Sequence, residues 1–202
     1  MKTSFQISAI IRGALPLLAV LVFPTLAQAH PGLPGHAHGF AGGLTHPLTG
    51  LDHICAMIAV GLWAAQRGGR ALWAIPLAFV SVMALGGRLG MIGGALPMGE
   101  TGIATSVLML GVLIAAAVRL PLVVNVLIVG VFALFHGYAH GAEMPATANG
   151  LEFGTGFMLA TAGLHLCGIS FGLGAKRWAS MQLIRCMGGA IAVCGIYFFI
   201  AA

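Results

Sequence analysis

Six apolar runs, separated by only a few polar residues each, constrain this chain more than any other feature. They fall at 44–65, 71–95, 101–118, 120–142, 151–174 and 181–201. A helix needs roughly 20 apolar residues to cross the hydrocarbon core of a bilayer. Inside lipid only a helix or a closed barrel satisfies its own backbone. With 59% of residues apolar and 6% charged, the chain lacks the polar surface of a soluble protein. The fold class is therefore an all-α integral membrane protein, a bundle of about six transmembrane helices, with no length left for a separate soluble domain.

The first 29 residues read differently. Lys2 and Arg12 precede an apolar core over 13–24, and Ala27-Gln28-Ala29 supplies the small-x-small pattern of a secretory signal. Pro16 and Pro24 shorten the apolar run, which favours a cleaved signal over a first transmembrane helix. The domain organisation is thus a signal peptide at 1–29, a His/Gly/Pro-rich leader at 30–43 and a six-helix membrane domain at 44–202. The leader carries His30, His36 and His38, imidazoles that can concentrate a metal ion outside the membrane.

Charge assigns the topology. Arg67 and Arg70, then Arg119, then Lys176 and Arg177 occupy alternate connections, and cytoplasmic loops are the ones enriched in Lys and Arg. The other connections hold Arg88, Glu100, Glu143 and Glu152 and face outward. Six crossings put the mature N-terminus and the C-terminus in the periplasm. This charge pattern reflects membrane topology and not an acidic partner, and nothing indicates nucleic acid.

Ionisable groups inside a bilayer are costly and mark function by default. His46, Asp52 and His53 head the first run. Glu100 opens the third, His136, His140 and Glu143 end the fourth, and His165 lies near mid-depth in the fifth. All of them fall between the outer aqueous phase and the membrane centre, as a cation funnel would require. His136, His140 and Glu143 share one helix face at i, i+4 and i+7, and a His pair at i, i+4 is a standard divalent-metal arrangement. On a straight helix His46 and His53 share a face but stand roughly 10 Å apart in rise. Either the turn around Gly50 is distorted to gather ligands, or His46 receives the ion first and His53 holds it deeper. Pro47 is expected to start the helix, with His46 at or before its cap. Asp52 either ligates or orients a histidine.

Glycines at four-residue spacing (Gly86/Gly90/Gly94, Gly137/Gly141, Gly150/Gly154, Gly168/Gly172) let helices approach closely and leave a homo-oligomer open. Cys55, Cys167, Cys186 and Cys194 fall inside spans and read as core residues, with Cys55 also a soft secondary ligand to consider. No CxxC pair supports a thiolate zinc site.

The segments His46-Pro-Leu-Thr-Gly-Leu-Asp52-His53, Phe135-His136-Gly-Tyr-Ala-His140-Gly-Ala-Glu143-Met-Pro145 and Gly156-Phe157 through His165 resemble the HupE/UreJ family of hydrogenase and urease accessory membrane proteins, which are nickel or cobalt permeases. Similarity covers nearly all of 40–201. The resemblance implies a signal peptide, a six-helix permease in the bacterial inner membrane, and metal-handling roles for His46, Asp52 and His53, with Glu100 and His136 or His140 as further participants. Cys55 stands where such proteins are expected to carry an aliphatic residue. The implied cargo is Ni2+ or Co2+, with no prosthetic group, and the implied link to nickel-enzyme maturation is indirect. Mixed imidazole and carboxylate ligands suit nickel, cobalt, zinc and copper(II) alike. No nucleotide-binding loop is present, so any driving force comes from an ion gradient or from the metal gradient itself. The rival reading is a membrane-embedded, metal-dependent hydrolase built on His53, His136, His140 and Asp52. A third is a metal sensor or chaperone.

Overall fold

The structure, a computed structural model, describes residues 39–93, 99–142, 144 and 149–201, and only the backbone of 99 and 100. The signal-peptide residues, His30, His36, His38 and Glu143 lie outside the described residues, as does the side chain of Glu100. The described residues are all-helical: α1 (Phe40–Thr49), α2 (Leu51–Arg67), α3 (Ala71–Met91), α4 (Gly99–Ala115), α5 (Leu122–Ala142), α6 (Gly150–Trp178) and α7 (Met181–Ala201).

Four of these, α3, α5, α6 and α7, are long and apolar enough to cross a membrane. The pair α1 and α2 qualifies as a fifth span if counted together, bent by 85° at its break. The remaining helix, α4, is apolar but only 17 residues long, about 25 Å at 1.5 Å per residue. The expected run to residue 118 stops early because the chain turns at Ala117, whose φ is 52°, just ahead of Pro121.

α2 is the hub of the bundle. From Cys55 to Ala65 every residue but Ile58 is buried, the signature of a helix apolar all round and packed on all sides. Glycine sets how its neighbours lie. A Cβ on Gly61 would strike the His165 carbonyl, and one on Gly168 the Ile58 carbonyl, so α2 and α6 run parallel in backbone contact. α3 and α5 also run parallel. Gly86 and Gly90 meet Leu134, Tyr138 and Gly141, while Gly137 and Gly141 meet Met83 and Gly87. α4 and α7 pair antiparallel through Gly111, Gly188 and Gly195. Gly154 has open space around it, so four-residue spacing alone did not identify the packing glycines.

At one end of the bundle, cationic side chains bond backbone carbonyls at helix ends and in the loop between α4 and α5. Lys176 Nζ donates to the carbonyls of Ala65 (2.5 Å) and Gln66 (3.0 Å), Arg67 to that of Leu120 (3.1 Å), and Arg185 to that of Ala115 (2.8 Å). Lys176 and Arg185 thereby complement the partial negative charge at the C-terminal ends of α2 and α4. Asp52, Glu152 and the α1–α2 break lie at the opposite end. Among the cysteines Cys55 is buried and Cys194 intermediate. Cys167 and Cys186 are exposed on the outer faces of α6 and α7, contrary to the expected core placement, since the bundle turns its glycines inward at those levels.

Candidate metal centre

Two helices meeting at one glycine build the centre. Thr49 closes α1 by donating its hydroxyl to the His46 carbonyl (2.8 Å). Gly50 then runs extended (φ −95°, ψ 122°), and its carbonyl accepts the first bond of α2, from Ile54 N–H (3.0 Å). The geometry at Gly50 is open to any residue by φ, so the requirement is space: a Cβ there would lie 2.6 Å from Asp52 Oδ1 and 2.8 Å from His53 Nδ1. Pro47 does not open a helix as expected. α1 begins at Phe40, and Pro47 is buried in its last turns with His46 already helical. The hydrogen bond forgone by Pro47 is offset by packing, because Gly43 and Gly156 let α1 lie directly on the backbone of α6.

The break does what a straight helix could not. The His46 and His53 rings stand 5.7 Å apart, and His140 of α5 comes within 4.6 Å of each. One nitrogen from each of His46, His53 and His140 lies within 4.8 Å of the others, a group of three that could hold a metal ion. His53 is buried, and His46 and His140 are partly buried. Of the two arrangements open in the sequence, the distorted turn is the one observed.

Asp52 turns its carboxylate to His53, accepting from the ring Nδ1 at 2.8 Å and from the His53 backbone N–H at 2.9 Å. A carboxylate only accepts, so Nδ1 carries a proton, and Nε2 faces His140 Nε2, 2.5 Å away. This is the carboxylate–histidine arrangement that orients metal ligands. His136 follows the same logic from a backbone acceptor: its Nδ1 donates to the Phe132 carbonyl at 3.0 Å, leaving Nε2 buried and without a hydrogen-bond partner among the described residues.

Aromatic walls surround the imidazoles. Phe157 lies 4.9 Å from His140 and 5.8 Å from His46, Phe153 lies 6.0 Å from His46, and Phe79 lies 5.5 Å from His136. These phenylalanines escaped the sequence reading, since apolar residues in a membrane helix carry no signal of which face they line. His165 is separate from the cluster of three, buried against Phe79 at 5.2 Å. Cys55 is not in the group, and Glu152 is engaged by the α6 cap, where Asn149 Nδ2 donates to Glu152 Oε1 at 2.9 Å.

The family model for HupE / UreJ protein matches residues 18–198. The chain belongs to the HupE/UreJ family. A relative, Protein HupE of Rhizobium leguminosarum bv. viciae, is 51% identical over 180 residues, covering 88% of this chain and 92% of the relative. No solved structure matches the chain. The three segments that carried the resemblance therefore fall in a HupE/UreJ protein, and two of them supply the histidines of the cluster.

Proposed function

We propose that this HupE/UreJ protein is a secondary permease that takes up divalent nickel or cobalt across the bacterial inner membrane, feeding hydrogenase or urease maturation. The observation that carries the reading is the convergence of His46, His53 and His140 within 4.8 Å from helices otherwise apolar. Three imidazoles leave coordination positions for water and suit these borderline cations. A divalent ion in a largely apolar surround also needs opposite charge. Asp52 supplies it beside His53, with its own side chain 33% exposed. In this reading the cluster binds and releases an ion and performs no chemistry on it.

The two ends of the bundle support one orientation in this reading. Arg67, Lys176 and Arg185 cluster at one end, which the positive-inside rule assigns to the cytoplasm. The histidine cluster then opens to the periplasm, where both mature termini lie. Glu100 and Glu143 are further acidic candidates for handling the cation in this reading. His30, His36 and His38 gather ions ahead of it once the signal peptide is removed. Intact-mass measurement should give a mature chain beginning at His30.

The deciding experiment is metal accumulation, by mass spectrometry, in cells lacking other nickel uptake, with and without this chain. Uptake at low external nickel that depends on the chain supports the permease. No accumulation, with the protein verified in the membrane, rejects it.

A further inference from the structure

The structure contains a second, deeper pair of imidazoles that the cluster of three does not use. His136 is fully buried, and with Nδ1 bound to the Phe132 carbonyl its Nε2 is an unshared lone pair in the core. His165 is 1% exposed, and neither of its ring nitrogens has a hydrogen-bond partner among the described residues. Buried polar atoms are almost always satisfied, and the exceptions call for an explanation such as an unseen ion or water. Three unsatisfied imidazole nitrogens on two rings that border the same phenylalanine exceed what packing requires, because leucine or phenylalanine would fill the same space at no polar cost.

The two rings flank one side chain. Phe79 makes edge contacts with His136 at 5.5 Å and with His165 at 5.2 Å, so both imidazoles border the same phenyl ring. Helix polarity brings them toward each other. Helical side chains tilt toward their own N-terminus. His136 sits on α5, which runs from the cationic end, so its ring tilts away from the outer cluster. His165 sits on α6, which runs the opposite way, so its ring tilts back toward that cluster. In depth, His136 is one turn, about 6 Å, below His140. The His165 backbone lies beside Gly61, eight residues or about 12 Å past His53 along α2. His136 is also the link upward, its ring 5.7 Å from that of His53.

We infer that His136 and His165 form an inner two-imidazole station for the same divalent cation, reached from the His46–His53–His140 cluster through His136, with Phe79 as its apolar wall. The inference rests on the permease reading and adds to it a path inward. Its ligand set has no carboxylate in contact and fewer imidazoles than the outer cluster, so it holds the ion more weakly, as a step toward release must.

The test uses the full chain in detergent, titrated with Co2+ by equilibrium dialysis, alongside cellular nickel uptake. Wild type should bind one Co2+ more per chain than His165→Leu. The leader histidines are common to both proteins and cancel in the difference. His165→Leu should keep the affinity of the remaining outer ion, keep or raise the melting temperature, and lose at least tenfold in uptake rate. His165→Gln, which restores one acceptor without imidazole, serves if the leucine variant does not fold and should show the same lost ion. Equal Co2+ capacity and equal uptake in wild type and the His165 variant would overturn the inner station and leave these rings bound to buried water or packed. That result would not touch the permease if His53→Ala still abolished uptake. If wild type neither binds Co2+ nor accumulates nickel, the permease reading fails, and the station with it.

Discussion

The Asp52 carboxylate accepts from His53 Nδ1 at 2.8 Å and thereby aims His53 Nε2 at His140. One residue thus sets both the tautomer of its neighbour and the charge beside the cluster. Asp52→Asn should keep much of the first effect, since an amide oxygen still accepts, and lose the second. Losing a carboxylate behind a ligating histidine typically costs about 10- to 100-fold in metal affinity. Nickel uptake by Asp52→Asn should fall at least that far with membrane abundance nearly unchanged, measured by metal accumulation against immunoblot. Wild-type uptake would place the ion elsewhere.

Gly50 is required by proximity and not by its backbone angle. In Gly50→Ala the new methyl meets Asp52 Oδ1 and His53 Nδ1 at 2.6 and 2.8 Å, so the pair must swing away from the cluster. Because φ is −95°, alanine strains no dihedral and the fold should persist. Co2+ affinity of the purified variant should drop by on the order of tenfold, as for other disturbed ligand-orienting contacts, while its melting temperature moves little. A large fall in melting temperature with unchanged affinity would instead make Gly50 a packing residue only.

Protons compete with the ion for the same imidazole lone pairs. Only a neutral imidazole ligates a metal ion. Metal binding should therefore weaken as pH falls, by up to roughly tenfold per pH unit for each imidazole that must release a proton to bind. His46, half-buried at the open end of the cluster, meets bulk protons first. His46→Ala and His140→Ala should each lower affinity and flatten the response. Dialysis on purified protein is the proper readout, because a proton gradient alters cellular uptake separately. Binding that is insensitive to both substitutions would exclude these histidines as ligands.

α3 and α5 touch backbone to backbone, and Gly137 is where a side chain fits least, its Cβ falling on the Met83 carbonyl. Gly137→Val should force the helices apart at a cost of about 1–3 kcal/mol, the usual penalty of overpacking. It should reduce protein in the membrane and its melting temperature, with uptake per surviving molecule reduced through His136 and His140 on the same helix. Gly154→Ala, with open space around Gly154, is the matched control and should be neutral on both measures.

Much of this arrangement was legible before any coordinates. Apolar run length is a local property, so the last helix falls at Met181–Ala201 where hydropathy puts it. The i, i+4 pair of His136 and His140 shares a face because helix geometry demands it. Helix ends depend on partners and were less legible. α6 continues to Trp178, past the expected end at 174, because Lys176 finds the α2 carbonyls. Pro47 joins the last turns of α1 because that helix is held by α6. The glycines Gly86 and Gly137 were visible as spacing, but which of many glycines touch backbone follows only from which helices pair.

The sequence by itself determined a membrane-embedded helical bundle of the HupE/UreJ family, with histidines and acids concentrated toward one end, since composition, charge alternation and motif identity are carried along the chain. Only the tertiary structure decided that the chain breaks by 85° at Gly50, that His46 and His53 then share a site with His140, and that His136 and His165 both border Phe79. Those relations join residues far apart in sequence, such as His53 and His140. They arise from helix packing, where a glycine's missing side chain on one helix admits the backbone of another, and no local periodicity encodes which pair will meet.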